Sequence, residues 1–396
     1  MWGDATGREN GRPRTALYSE RLNPTSVLLM VRSLEHGGCE RDATKLAVGL
    51  DRSRFLPHVG VFRPGGIREA ELRAAGVPIV HFPVESFISS SAFRAARQLG
   101  HYVRQNNIQI VHAFDVPTDL FAAPAARWQR VPVVITAQLS YRIMYDRFGR
   151  IMLPLMDWLS DAIVVNSRAV ADSLRRAVGF PKKKIYVCHN GVDTAQFYPA
   201  RQRPPALKDA SVVVGSVCVM RAEKRMDWVV RAFANVRQVD PYMRLLLVGS
   251  GPEVPRLEKL ARDLAVRDIC HFVPAQDNVV PWLQALDVYI NSSSTESFPN
   301  GLLEAMACGC FPIGSRVGGI PELIVPGENG LLFDASDEDQ LVTMLKRAVT
   351  DESFRSTTRE KAALTARQEF SMEKNVSRME SLYERLLNQH VSGSRK

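Results

Sequence analysis

DVYINSSSTESFPNGLLEAMACG, residues 287–309, passes from a strand pattern through a polar loop into a helix pattern. The apolar run at 287–291 predicts a β-strand, and the apolar spacing over 300–308 predicts a helix. Pro299 and Asn300 stand where N-terminal helix signals belong. The first-turn amides of such a helix are free and the helix dipole adds positive charge there, so we expect a phosphate or diphosphate to bind at this point.

Two carboxylates flank this predicted anion site. Glu296 lies before the helix, at the carboxyl end of the strand, and Glu304 lies about one turn inside the helix. Carboxylates do not bind anions, because like charges repel each other. They suit hydroxyl groups on either side of the phosphates, such as those of a sugar and a ribose.

Strand patterns alternate with helix patterns on both sides of this segment, which predicts βα units that feed parallel sheets. We expect strands at 26–31, 57–62, 78–82, 108–113, 132–136, 161–165, 184–188, 211–219, 243–248, 269–273, 287–291 and 311–313. We expect helices near 37–50, 89–106, 167–177, 225–239, 252–266, 300–308 and 336–350. The fold class is therefore α/β, with two doubly wound Rossmann-like domains that face each other across a cleft, where ligands of such sheets bind.

The predicted domain order follows from breaks in these patterns. The stretch at 197–208 carries three prolines and no periodicity, so it is interpreted as a linker. The last helix pattern has its apolar residues on one stripe, and we expect this helix to cross back to the first domain. In chain order we predict a flexible polar tail at 1–24, a first domain at 25–196, the linker at 197–208, a second domain at 209–370 and the crossing helix at 371–389.

The composition of the 396 residues is that of a globular protein, with 45% hydrophobic and 23% charged residues. No apolar run approaches the ~18 residues that cross a bilayer. The first 24 residues lack the apolar region of a secretory signal. The six cysteines are scattered, as is typical of reduced thiols in the cytosol. We therefore expect a cytoplasmic protein.

The net charge of +9 lies entirely in the first half of the chain, because residues 1–200 hold 26 Lys and Arg against 17 Asp and Glu. This asymmetry indicates an anionic partner for that half, either an anionic membrane face or a phosphorylated lipid acceptor. A solvated basic surface is the alternative. Nucleic acid is not expected, because the charge is not accompanied by a zinc finger, a helix-turn-helix or an RNP-type aromatic pattern.

The segment ESFPNGLLEAMACG at 296–309, followed by GSRVGGIPELIVPGENGLLF at 314–333, resembles the E-x7-E signature of the family 4 (group 1) retaining glycosyltransferases. The similarity covers nearly the whole chain after residue 25. It implies the GT-B fold, in which an acceptor-side Rossmann-like domain, here 25–196, and a nucleotide-sugar-binding one, here 209–370, enclose a cleft. It also implies the transfer of a hexose from a nucleotide diphosphate sugar to an acceptor hydroxyl, with the anomeric configuration retained.

The resemblance implies roles for residues on the donor side. Glu304 matches the glutamate that holds the ribose hydroxyls, and Glu296 matches the one that contacts the donor sugar. Lys224 matches the lysine of the family's diphosphate clamp; Val219 stands where the clamp arginine is usual, so Arg221 is its expected substitute. The donor sugar and phosphates would be lined by Ser297, Phe298, Pro299, Asn300, Gly301 and Leu302.

Further family landmarks lie on the loops that follow other strands. Gly38 stands in a glycine loop beside the donor diphosphate, and Gly251 allows a tight βα turn close to the ligand. His112 ends a strand, as does a family histidine that contacts the donor sugar. The usual T-x-H of the family is replaced at 136–138 by Thr-Ala-Gln, and this departure leaves the acceptor open.

No cofactor is expected, and a UDP-sugar is favoured over a GDP-sugar as the donor. No metal is expected either: the sequence Asp337-Glu338-Asp339 is formally a DxD motif, but it begins a helix pattern, where acids favour the dipole. The resemblance implies metal-independent catalysis by Arg, Lys and helix amides. The acceptor is expected to be a lipid-linked or small glycan of cell-envelope or exopolysaccharide synthesis, reached at the inner face of the cytoplasmic membrane through the basic first domain.

Three other functions are compatible with a chain of this kind. A nucleotide-sugar 2-epimerase has the same fold and converts the donor without an acceptor. A sugar phosphorylase is a further option, although no segment indicates the lysine that would hold pyridoxal phosphate. A non-catalytic partner subunit would bind the sugar nucleotide only. Product analysis with a labelled donor separates transfer from epimerisation and from binding alone.

Overall fold

The computed structural model describes residues 23–393, except residues 36, 88, 146, 177–180 and 201. All but the last two residues of the predicted tail at 1–24 lie outside this described part. The described residues form two parallel sheets, of seven and six strands, and fourteen α-helices. Among these helices, none combines the length and the apolar composition that crossing a bilayer requires.

The first sheet has the strand order β3-β2-β1-β4-β5-β6-β7. Its strands are β1 Thr25–Val31, β2 Phe55–Val61, β3 Ile79–His81, β4 Ile108–Ala113, β5 Val133–Gln138, β6 Ala162–Val165 and β7 Ile185–Val187. All residues of β1 are buried, which explains why this strand is an unbroken apolar run rather than an alternating one. The helices of this domain are α1 Gly38–Gly49, α2 Glu69–Ala74, α3 Ser90–Gln105, α4 Val116–Trp128, α5 Arg147–Leu159 and α6 Arg168–Arg175.

The second sheet has the strand order β10-β9-β8-β11-β12-β13. Its strands are β8 Val213–Val217, β9 Arg244–Val248, β10 Cys270–Val273, β11 Val288–Asn291, β12 Phe311–Ser315 and β13 Leu331–Phe333. The helices that follow in the chain are α7 Met226–Val236, α8 Val254–Asp263, α9 Val280–Ala285, α10 Asn300–Ala307, α11 Ile320–Leu323, α12 Glu338–Thr350, α13 Glu352–Glu369 and α14 Met372–Gly393. In both sheets the strand order reverses beside the first strand, and such a point opens a crevice at the carboxyl ends of the strands.

The last helix, α14, packs on the first domain although it follows the second in the chain. Val376, Met379, Leu382, Leu386 and Leu387 of its apolar stripe are buried in the same core cluster as residues of β1, β2 and α1. The linker is also anchored, because the Phe197 side chain is buried in the core of the second domain. These contacts bring the carboxyl edges of the two sheets towards each other.

Candidate functional site

A cavity of about 350 Å³ lies where β8 and β11 end and α10 begins. Most of its wall comes from the second domain, and Gly38 at the start of α1 adds a contribution from the first. The cavity brings together eight of the residues selected from the sequence: Gly38, Arg221, Lys224, Glu296, Phe298, Pro299, Asn300 and Gly301.

The start of α10 lies in this wall. Pro299 precedes the helix in an extended conformation, and no side chain caps the first-turn amides. Those amides have no acceptor within the helix, so they can bind an anion. An added Cβ on Gly301 would lie 2.8 Å from Tyr289 Oη and 3.1 Å from the Val217 carbonyl oxygen. Glycine at this position therefore lets the helix start approach the end of β8.

The charged pair of the cavity consists of Lys224 and Glu296. Lys224 Nζ lies 2.5 Å from Glu296 Oε2, and the Ser293 hydroxyl donates to the same oxygen at 3.3 Å. Lys224 ends a short 3₁₀ turn, Ala222–Lys224, directly after β8. The Arg221 side chain is 62% exposed, and its Nη1 lies 3.9 Å from Glu223 Oε1. The guanidinium of Arg221 is thus held only loosely at the cavity wall.

Glu304 lies deeper, one turn inside α10, and does not line the cavity as Glu296 does. Its Oε1 lies 2.5 Å from Nη1 of Arg41, which comes from α1 of the first domain. Burial raises the pKa of the Glu304 carboxyl, and the Arg41 charge opposes that rise only in part. The pair links the two domains directly behind the helix start.

His112 ends β4 and is fully buried. Its Nδ1 lies 2.8 Å from the Tyr383 hydroxyl of α14, while its Nε2 has no hydrogen-bond partner among the described residues. Burial lowers the pKa of His112 to about 3, so the imidazole is neutral at physiological pH. The predicted contact of this ring with a donor sugar stays a prediction.

The remaining residues selected from the sequence lie beside the cavity rather than on its wall. An added Cβ on Gly251 would lie 2.3 Å from the Met220 carbonyl oxygen, so this glycine lets the loop after β9 pack against the loop that leads to Arg221. Leu302 is buried in the core of the second domain. The Ser297 carbonyl packs against Gly319. These three residues therefore shape the wall from behind.

Several contacts at the site were not expected from the sequence. Asn190 Nδ2 donates a hydrogen bond to Asn300 Oδ1 at 2.9 Å across the domain boundary. Arg41 and Tyr383 were not selected at all. Each is separated from its partner by more than 260 residues, so no local pattern identifies them.

In the part of the chain that the structure describes, no three His, Cys, Asp or Glu side chains lie close enough together to hold a metal ion. Asp337 of the formal DxD motif accepts a hydrogen bond from the Gln340 amide at 3.0 Å, and so it caps α12.

Models of known protein families match both domains of the chain. A family model described as "Glycosyl transferases group 1" matches residues 210–351. A second, described as "Glycosyltransferase Family 4", matches residues 36–196. Together the two models cover most of both domains, and the predicted family is confirmed.

Two curated relatives illustrate the similarity in sequence. The N-acetyl-alpha-D-glucosaminyl L-malate synthase of Bacillus anthracis is 33% identical over 243 residues, which is 59% of this chain and 62% of the relative. A phosphatidylinositol N-acetylglucosaminyltransferase component from Arabidopsis thaliana is 27% identical over 286 residues, 69% of this chain and 63% of the relative. In both cases the match spans less than two thirds of the relative's own length.

Solved structures share the architecture. HepE of Anabaena, in complex with UDP and glucose, aligns with a TM-score of 0.78 and 19% identity over 91% of this chain and 99% of that chain. A glycosyltransferase from Rickettsia africae aligns with a TM-score of 0.79 and 19% identity, over 92% and 99% of the two chains. The predicted GT-B fold is thereby confirmed.

Proposed function

Since the chain belongs to the group 1 glycosyltransferases, we propose that it moves a hexose from a nucleotide diphosphate sugar to an acceptor hydroxyl. The observation that carries this proposal is the cavity in which Lys224, Glu296 and the uncapped start of α10 meet. Cationic groups and free amides suit a diphosphate, and a carboxylate suits sugar hydroxyls. The same cavity thus contains groups that suit the diphosphate and groups that suit the sugar of a sugar nucleotide.

We propose a retaining reaction. The acceptor oxygen forms its bond to the anomeric carbon on the face from which the diphosphate leaves, and a leaving phosphate oxygen takes the acceptor's proton. Lys224, Arg221 and the α10 amides stabilise the charge that develops on the leaving group. Glu296 and His112 hold the sugar. The Nε2 atom of His112, which has no hydrogen-bond partner among the described residues, is the atom that meets a sugar hydroxyl in this proposal.

The nucleotide end of the donor is assigned to Glu304. Arg41 bonds one oxygen of this carboxylate, Oε1, and in our proposal the ribose hydroxyls bond the other. The ion pair between Arg41 and Glu304 would then couple ribose binding to the contact between the two domains. Gly38, which lines the same cavity from that domain, would face the diphosphate.

We further propose that catalysis is metal-independent, because Arg221, Lys224 and the helix amides supply the positive charge that a divalent cation would otherwise supply. A UDP-hexose is the proposed donor. Two observations support this choice: the names of the two curated relatives described above contain an N-acetylglucosaminyl group, and the fold of the chain is that of HepE, which was solved with UDP and glucose.

The proposed acceptor is a lipid-linked or small glycan of the cell envelope, reached from the cytoplasm at the membrane surface. The excess of basic residues in the first half of the chain supports this assignment, because phosphorylated lipids and anionic membranes attract such a domain.

Calorimetric titration with UDP-, GDP- and ADP-sugars in the presence of EDTA tests the donor assignment. We expect one UDP-sugar to bind in the micromolar range and the others to bind more weakly. The labelled form of that donor, offered with membrane extract, should then yield a labelled lipid-extractable product. An epimerised donor without transfer would identify a 2-epimerase, and binding without any product would identify a non-catalytic subunit; either result would overturn the proposal.

A further inference from the structure

An apolar stripe lies on the solvent side of α5. Phe148, Ile151, Leu155 and Trp158 follow one another at intervals of three, four and three residues, so they lie on one face of the helix. All four are exposed, Ile151 to 65% and Trp158 to 73%. The opposite face is buried in the domain, which leaves this stripe without a partner among the described residues.

A second apolar surface adjoins the stripe. The exposed rings of Phe93 and Trp128 lie 6.0 Å apart over a groove of about 500 Å³ between α3 and α4. Because α4 packs against both α3 and α5, the groove and the stripe lie on the same side of the first domain. We call this combined surface, formed by the α3–α4 groove and the α5 stripe, the α3–α5 face.

The exposed charges on helices α3 and α5 of the α3–α5 face have one sign. Of the acids in its helices, Asp119 and Asp157 are both buried. The exposed charged side chains of α3 and α5 are all arginines: Arg94, Arg97, Arg104, Arg147 and Arg150. Much of the charge excess of the first half of the chain therefore surrounds exposed aromatic and aliphatic side chains.

We propose that the α3–α5 face docks on an anionic phospholipid bilayer. Apolar and aromatic side chains that form one helix face, bordered by arginines, are the features of a helix lying in the membrane interface. Tryptophan is enriched at that depth, and each basic residue near an anionic surface contributes to the attraction. A second copy of this chain fits less well, because a symmetric contact would bring the arginines of both copies together.

The position of the face bears on the acceptor, and here the inference rests on the proposed transfer to a lipid-linked glycan. The chain leaves the carboxyl end of β5, forms the 3₁₀ turn Arg142–Met144 and enters α5. Ile143 of that turn is 80% exposed. The apolar surface therefore extends to the sheet edge at which the cleft opens, so that docking would place the acceptor side of the cleft beside the lipid headgroups.

Vesicle flotation of the full chain tests the inference without any substrate. We expect binding to vesicles of three parts phosphatidylcholine and one part phosphatidylglycerol, and little binding to pure phosphatidylcholine. The double variant Ile151→Ser/Trp158→Ser should lose at least about tenfold in partitioning. Arg147→Gln/Arg150→Gln should lose about fivefold for each arginine.

Matched controls lie on the second domain. Val239→Ser/Tyr242→Ser removes two exposed apolar side chains there, and Lys346→Gln/Lys361→Gln removes two exposed charges. Both controls should bind vesicles as the unaltered chain does. UDP-sugar binding, measured by calorimetry, should be unchanged in all four variants, so that failure of the donor assignment is distinguished from failure of membrane docking.

Two results would overturn the inference. In the first, the unaltered chain does not bind the anionic vesicles, or the α5 variants bind them as strongly as the unaltered chain does. The second is a dimer in light scattering that Ile151→Ser/Trp158→Ser converts to a monomer, because the face would then be an interface between two copies of the chain.

Discussion

The carboxylate of Glu296 lies in the candidate cleft, beside the Lys224 ammonium. Glu296→Gln keeps the size of the side chain and removes its charge. We expect turnover to fall by ~10²–10³, because the proposed contact of this carboxylate with the reacting sugar is weakened. Nucleotide affinity should stay close to that of the unaltered enzyme. Steady-state kinetics and calorimetry measure the two effects, with the exposed Glu328→Gln as control; a parallel loss of affinity and turnover would assign Glu296 to nucleotide binding instead.

Glu304 should behave in the opposite way. Glu304→Ala removes the proposed acceptor of the ribose hydroxyls, so we expect nucleotide affinity to fall roughly tenfold or more, since a hydrogen bond to a charged group is lost. Turnover at saturating donor should change much less. Arg41→Gln is the matched variant, because it removes the ion pair and keeps the carboxylate. If Arg41→Gln weakens nucleotide binding as strongly, the effect belongs to the domain contact.

The buried imidazole of His112 predicts a pH effect on stability. Its pKa is about 3 in the folded protein, because of burial, whereas an unfolded histidine has a pKa of about 6.5. Between these values the unfolded chain binds the extra proton, so stability falls as the pH drops below about 6.5 and is recovered above it. We expect this residue to account for a loss of about 2 kcal/mol between pH 7.5 and pH 5.

Denaturant unfolding at several pH values measures this loss. His112→Asn should lack that part of the pH dependence, and the exposed His101→Asn should retain it. A pH dependence in His112→Asn equal to that of the unaltered chain would contradict a neutral, buried His112.

At the scale of elements, strands and helices could be predicted where the sequence has a regular hydrophobic pattern, and they were missed where it does not. Each predicted strand is present within about two residues of its observed bounds. Most of these parallel strands are buried on both faces and are therefore apolar runs, whereas β3, β7 and β10 are only partly buried. The elements that were not predicted are β13 and the helices α2, α4, α5, α9, α11 and α13. Of these, α4 and α5 each contain an internal proline, Pro124 or Pro154. In addition, α4 is almost entirely apolar and lies between α3 and α5, so it has no polar face to indicate a helical period.

Replacing either of two glycines of the cleft with alanine should have opposite effects on stability. Gly301→Ala would place a Cβ 2.8 Å from Tyr289 Oη, so we expect a loss of about 1–3 kcal/mol from overpacking and weaker donor binding as the start of α10 shifts. Gly38→Ala meets no atom within 4 Å and lies in α1, so it should stabilise the fold by up to about 1 kcal/mol. Thermal unfolding of both variants decides the question. Equal effects would show that space around Gly301 does not limit the helix start.

At the scale of the whole molecule, the sequence predicts which strand ends carry the site but not the contacts across it. Glu296 lies in the loop between β11 and α10, and Glu304 lies one turn inside α10. Both can be placed from the sequence, because they follow the carboxyl end of a parallel strand. The partners of Glu304 and His112 come from the other end of the chain, in α1 and α14 respectively. Such pairs depend on how the two domains pack, and no local periodicity encodes that arrangement.

Glu322 is the residue through which domain packing can be tested. It lies in α11 of the second domain and accepts hydrogen bonds from the Arg168 and Ala169 amides, at 2.9 and 3.0 Å, at the start of α6 in the first domain. Its Oε2 also lies 2.7 Å from His189 Nε2. Burial raises the pKa of the Glu322 carboxyl, but these hydrogen bonds outweigh burial and lower it overall. The ionised form is therefore favoured when the domains are in contact, so the contact should weaken as the pH falls through this lowered pKa.

Glu322→Ala removes all three bonds and leaves the first-turn amides of α6 without their acidic partner. We expect the free energy of unfolding to fall by about 1–3 kcal/mol, and the radius of gyration in small-angle X-ray scattering to rise as the cleft opens. Glu328→Ala, exposed on the same domain, should change neither quantity. Because the proposed sugar transfer requires the cleft to exclude water, the variant should also hydrolyse more donor per transfer than the unaltered chain. An unchanged radius with unchanged hydrolysis would show that other contacts, such as that between Arg41 and Glu304, hold the domains together without Glu322.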